Sequence, residues 1–152
     1  MKEELLKLII KKQYTKIKNF ITEMNIQDVA EILSDLPLET VAPVFRLIPK
    51  DVAAEVFAEL DLTVATELLQ YLTEKEAVSI LNELAADDAT DIIEEMPANI
   101  VDKLLKMCDD TTRKDINKLL KYQEDTAGSI MTVEYAELKE DIDIETAIKQ
   151  LK

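Results

Sequence analysis

Histidine and tryptophan are absent from this 152-residue chain, and cysteine and glycine occur once each, as Cys108 and Gly128. Without histidine there is no Ser-His-Asp or Cys-His nucleophile and no His-built zinc site. A single cysteine removes Cys-built zinc sites and any intrachain disulfide. One glycine cannot build a Walker loop or a dinucleotide fingerprint, which need several for close backbone approach to phosphate. The longest uninterrupted apolar run, Val41-Ala42-Pro43-Val44-Phe45, falls far short of the ~18 residues of a membrane span. The opening Met1-Lys2-Glu3-Glu4-Leu5 lacks the apolar core of a signal peptide. A disulfide-free chain of this kind is expected in the cytosol.

Charged residues make up 33% and the apolar set 47%, a globular rather than disordered composition. Lysine and arginine number 18 against 32 acidic residues, a net charge of −14. Such a surface repels nucleic acid and anionic lipid and attracts cations or basic partners. The charge is unevenly spread. Six lysines (Lys2, Lys7, Lys11, Lys12, Lys16, Lys18) against Glu3 and Glu4 leave residues 1–18 at +4, so the rest carries −18. With no arginine for bidentate contacts and a single aromatic, Tyr14, among them, the lysines read as a solvated face of a capping helix.

A twelve-residue repeat dominates the chain. Leu36, Ile48, Leu60, Leu72, Leu84, Met96, Cys108 and Leu120 each lie twelve residues after the last. Four residues before them run Ile32, Val44, Val56, Leu68, Ile80, Ile92, Leu104 and Ile116. Three before run Leu33, Phe45, Phe57, Leu69, Leu81, Ile93 and Leu105, with Asn117 breaking the column. Apolar residues at i, i+3, i+4 and i+7 form one stripe of an α-helix. Each unit is therefore a helix of about nine residues and a turn of about three. Pro37, Pro49 and Pro97 punctuate the turns, Asp61 and Asp109 supply N-cap side chains, and Thr73-Glu74-Lys75-Glu76 spells a capping box. Pro43 is expected in the first turn of its helix, where a missing N–H costs little. Helices this short are marginal alone and must stack. The expected fold is all-α, a right-handed superhelical stack of about ten short helices over residues 1–121, with each helix folded against its sequence neighbour. Cys108 and Met96 fall in core columns and read as buried apolar groups.

The repeat stops after Leu120. Residues 132–138 have the β-branched and aromatic content of a short strand, and 144–151 return to helical spacing. A lone strand and helix cannot bury both faces, so 122–152 is expected to be a linker and the incomplete start of a second domain.

From Glu83 to Glu95 there are six carboxylates (Glu83, Asp87, Asp88, Asp91, Glu94, Glu95) and no basic residue. Asp87 and Asp91, and Asp91 and Glu95, are i, i+4 pairs with Cβ atoms ~6 Å apart, mildly repulsive in a helix. Such a run reads either as a solvated face with carboxylates in the first turn, or as a site for a divalent cation. Only oxygen ligands are on offer, which suits Mg²⁺ or Ca²⁺ and disfavours zinc and copper; no EF-hand loop is present. With few protein ligands and retained hydration, affinity near ~10⁻⁴–10⁻³ M is expected, fit for a sensor. Paired carboxylates also raise glycoside hydrolysis, which needs aromatic sugar platforms that this composition does not offer. No constellation points to an enzyme.

The stretch Tyr122-Gln123-Glu124-Asp125-Thr126-Ala127-Gly128-Ser129-Ile130-Met131-Thr132-Val133-Glu134-Tyr135 closely resembles the junction in MgtE-type magnesium transporters between an acidic helical N domain and the first CBS domain. Pro49-Lys50-Asp51-Val52-Ala53-Ala54-Glu55-Val56 and Asp87-Asp88-Ala89-Thr90-Asp91 are similar to that N domain as well. The resemblance implies a cytosolic gating module of a dimeric Mg²⁺ channel, with Mg²⁺ held weakly between the N domain and the CBS domains. The positions it marks as metal ligands are Glu55, Asp87, Asp91 and the carbonyl of Gly128. It implies as partners the CBS and transmembrane domains of the same transporter, without nucleic acid. Ser129 departs from the family, where a second glycine is common. The repeat alone is shared with other scaffolds, including the flagellar rotor switch protein, so a HEAT-like interaction scaffold without metal is the competing reading.

Overall fold

The structure is a computed structural model that describes residues 2–123, 126–133 and 137–150. Ten helices follow one another in register with the repeat: α1 (Lys2–Ile10), α2 (Tyr14–Thr22), α3 (Ile26–Ser34), α4 (Leu38–Phe45), α5 (Lys50–Ala58), α6 (Leu62–Tyr71), α7 (Glu74–Leu81), α8 (Ala86–Glu94), α9 (Ala98–Met107) and α10 (Asp110–Leu119). Each begins twelve residues after the one before it. An eleventh, α11 (Ile144–Gln150), stands where the sequence places the last helix and buries no residue. There is no strand among the described residues. The centre of the strand expected over 132–138 (residues 134–136) and Glu124, Asp125, Glu134 and Tyr135 of the junction motif lie outside them.

The columns read from the sequence are the core. Every member from Ile32 to Ile116 and from Leu33 to Leu105 is buried, along with Ile48, Leu60, Leu72, Leu84, Met96 and Cys108. Phe45 and Phe57, one repeat apart, meet edge to face with ring centroids 5.7 Å apart, a geometry that aromatic quadrupoles favour.

How the helices stack differs from the expectation. α1 packs on its sequence neighbour α2 as expected, but from α3 onward the backbones pack most closely between alternate helices, α3 on α5, α5 on α7 and α7 on α9 in one file, and α4 on α6, α6 on α8 and α8 on α10 in the other. The three-residue turn sends the next helix into the opposite file, so the structural unit is two helices. Side chains tie units together across the files. The Asp61 N–H, at the start of α6, donates to Ser34 Oγ at 3.2 Å, and the Asp109 N–H, at the start of α10, donates to Asn82 Oδ1 at 3.1 Å. These two links occupy equivalent places in the repeat.

The turns carry two further corrections. Asp61 and Asp109 stand at N-cap positions, yet their side chains accept no capping hydrogen bond. Thr73 does, with Glu76 completing the expected capping box. Pro43 is the sixth residue of α4, because that helix starts only after the extended Pro37; it lies in the interior and forfeits one intrahelical bond.

Candidate metal site on the acidic face

Helix α8 buries Ala86, Ala89, Thr90, Ile92 and Ile93, which turns Asp87 and Asp91 toward its other side. Thr90 is satisfied inside the helix, its hydroxyl donating to the Ala86 carbonyl at 2.6 Å. Asp87 and Asp88 occupy the first turn, where the positive end of the helix dipole stabilises carboxylates, and Asp91 follows one turn later.

The two aspartates are not equivalent. Asp87 is half-buried, and its Oδ1 is shut off from solvent with no hydrogen-bond partner among the described residues. A buried carboxylate oxygen without a donor is costly, since desolvation goes uncompensated. Asp91 keeps solvent contact, yet partial burial, and then the charge of Asp87, push its carboxyl above the usual range. Together they set two carboxylates one helical turn apart, one of them with a buried oxygen that no donor reaches among the described residues. The deficiency is of the kind that a small hard cation removes. It would gain two oxygen ligands and keep most of its water, as Mg²⁺ sites with few carboxylates do.

The other marked positions are placed separately. Glu55 is exposed on α5. Gly128 sits half-buried in the turn at 127–130, after the Thr126 N–H and hydroxyl both donate to the Gln123 carbonyl. Its φ is not left-handed. What demands glycine is space: a Cβ there would overlap Cδ1, Cγ and Cε1 of the Tyr122 ring. Among the described residues no three acidic side chains converge as a ready-made cage. Cys108 is buried in the core, and burial raises its thiol pKa, so it is no metal-binding thiolate.

Two features escaped the sequence reading. An open cleft of about 520 Å³ lies between α4, α5 and α7, floored by Phe45, Ile48 and Ile80 and rimmed by Lys50 and Lys75. At its edge Arg46 grips Glu76, and this pairing, aided by the Thr73 N–H, holds the Glu76 carboxyl at about 2. In a second cleft, of about 760 Å³, Lys103 of α9 pairs with Glu74 of α7. Thr73 and Glu76 were legible as a local cap, whereas partners about thirty residues away have no sequence period to announce them.

Residues 24–125 match the family model described as the MgtE intracellular N domain. Two solved structures share the fold. The cytosolic domain of the Mg²⁺ channel MgtE, crystallised in complex with ATP, superposes with a TM-score of 0.86 at 29% identity, covering 99% of this chain and 62% of that one. The soluble part of a magnesium transporter superposes with a TM-score of 0.82 at 19% identity, covering 99% and 61% respectively. The chain thus spans about three-fifths of either structure's length. No protein with a curated description matches it. No helix among the described residues is long and apolar enough to cross a membrane.

Proposed function

The chain belongs to the family of MgtE intracellular N domains, and from that premise we propose that it is a Mg²⁺-sensing regulatory domain on the cytosolic side of a magnesium transporter. The family is one of transporter domains, not of enzymes. The observation that carries the reading is the Asp87–Asp91 pair, with one oxygen buried and unpartnered and one carboxyl raised above its usual range. Asp87 and Asp91 would hold the ion on α8, and Glu55 on α5 would contribute at a neighbouring place. The Gly128 carbonyl would be aimed by the stacking of Tyr122 on the glycine. The remaining ligands would come from CBS domains of the same transporter, which is proposed to act as a homodimer.

The chemistry that a divalent ion supplies there is two positive charges between two acidic faces. Without them, the −18 body is repelled from an acidic neighbour by ~1 kcal/mol per close pair in water, and by more where solvent is thinned. Asp87 and Asp91 then act as the gate's charge sensor. Filled, they favour the compact, closed arrangement; empty, they favour separation. Because the closed arrangement has the higher affinity, rising cytosolic Mg²⁺ shifts the population toward closure.

The test is Asp87→Ala with Asp91→Ala in the intact transporter. The Mg²⁺ concentration needed for closure should rise; unchanged gating would defeat the reading. On the chain alone, thermal melts in MgCl₂ against NaCl of matched ionic strength separate a sensor from a metal-free scaffold. A specific Mg²⁺ shift that the double variant abolishes is expected, and it should be small because the partner ligands are missing.

A further inference from the structure

The basic end of the molecule reads differently in three dimensions. Leu5 is fully buried and anchors α1 on α2, with Leu6, Leu8 and Ile9 partly buried behind it. Ile10, the last residue of α1, is instead 80% exposed, more than any other large apolar side chain in the ten-helix stack. Tyr14, which opens α2 three residues of turn later, is 47% exposed. Lys7, Ile10 and Lys11 are i, i+3 and i+4 neighbours on one helix face, and Tyr14 and Lys18 are paired likewise on the next. Lys7, Lys11, Lys12, Lys16 and Lys18 are all exposed. Glu3 and Glu4 lie at the opposite end of α1. The corner is fixed in shape: Lys12 takes a left-handed φ of 52°, the Lys12 N–H donates to the Ile9 carbonyl at 2.9 Å, and the Gln13 N–H donates to the Leu8 carbonyl at 3.0 Å.

We propose that this α1–α2 corner docks on an anionic lipid bilayer, with Ile10 and Tyr14 entering the headgroup region and the surrounding lysines facing lipid charge. Charge complementarity selects the partner. The corner is the positive end of an otherwise strongly negative body, so it approaches an anionic surface while the rest is held off. The exposed isoleucine and tyrosine favour lipid over nucleic acid, because an aliphatic side chain gains from an acyl boundary and gains little from a base stack or phosphate. The proposal is independent of the Mg²⁺ reading.

The experiment is co-sedimentation of the chain with vesicles of phosphatidylserine and phosphatidylcholine, against pure phosphatidylcholine. Pelleting only with the anionic vesicles, weakened by salt, is expected. Lys11→Glu should lower the partition coefficient about five-fold or more, and Lys7→Glu likewise. Since the chain has no tryptophan, Ile10→Trp is a single fluorescent reporter whose emission should shift to the blue on anionic vesicles. Asp87→Ala with Asp91→Ala should leave vesicle binding in place, which separates this surface from the metal site. Equal pelleting on both lipids, no pelleting at low salt, or binding without a blue shift would overturn the proposal. So would retention on RNA without any on vesicles.

Discussion

Arg46 and Glu76 meet across thirty positions of sequence through two parallel hydrogen bonds, Nε to Oε1 at 2.8 Å and Nη2 to Oε2 at 3.1 Å. The same carboxylate accepts the Thr73 N–H at 2.9 Å, so one side chain both caps α7 and holds it to the end of α4. Arginine suits this role because its planar fork matches a carboxylate at two points.

Glu76 therefore predicts an acid-sensitive component of stability. Its folded pKa of about 2 lies below the ordinary 4.5, so its contribution is complete above the unfolded value and is lost as pH falls through the folded one. Both partners are more than a third exposed, which reduces the expected contribution to about 1 kcal/mol. Urea melts of the parent chain and Glu76→Gln should differ by that amount at neutral pH and converge between pH 4.5 and about 2. A gap independent of pH would remove the ion pair from the account.

Asp91 should behave in the opposite sense. Its folded pKa is raised, so its ionised form costs stability above the unfolded value, and the cost is relieved as the carboxyl protonates. Asp91→Asn should stabilise the chain at neutral pH by a few tenths of a kcal/mol in the absence of divalent ions. The gain should shrink in MgCl₂, because the parent is then relieved by the ion. Loss of stability on this substitution in metal-free buffer would contradict the charge strain assigned to the Asp87–Asp91 pair. Such a gain matches the general trade in which functional groups are held at some cost to stability.

Lys12 occupies the left-handed position that ends α1, in the two-bond arrangement that glycine usually fills. Lys12→Gly removes the strain of a Cβ at positive φ and also loosens the unfolded chain. The strain term outweighs the entropy term at such a position, by up to about 1 kcal/mol. A rise in the thermal midpoint by differential scanning calorimetry is expected, and a fall would contradict it.

Much of this molecule was legible from one period. The spacing placed ten helices at twelve-residue steps, named the buried columns and located the capping box, because each of those depends on neighbours within about four residues along the chain. The concentration of acid between 83 and 95 was visible for the same reason, and the Tyr122–Tyr135 stretch carried the resemblance, while the family match itself falls on residues 24–125. Asp61 and Asp109 hold the N-cap places that the sequence assigns without capping through their side chains, and their backbone N–H groups bond instead to Ser34 and Asn82 of other helices, partners no local pattern announces.

What the tertiary structure alone decided are the relationships set by the angle at each turn. That angle puts alternate helices side by side and brings Arg46 to Glu76 and Glu74 to Lys103. It also leaves one Asp87 oxygen buried without a donor, and turns Ile10 outward although it belongs to an apolar run. Local periodicity specifies which face of a helix is oily. It does not specify the direction in which a three-residue turn sends the next helix, and that direction determines which charges and apolar groups are left facing outward.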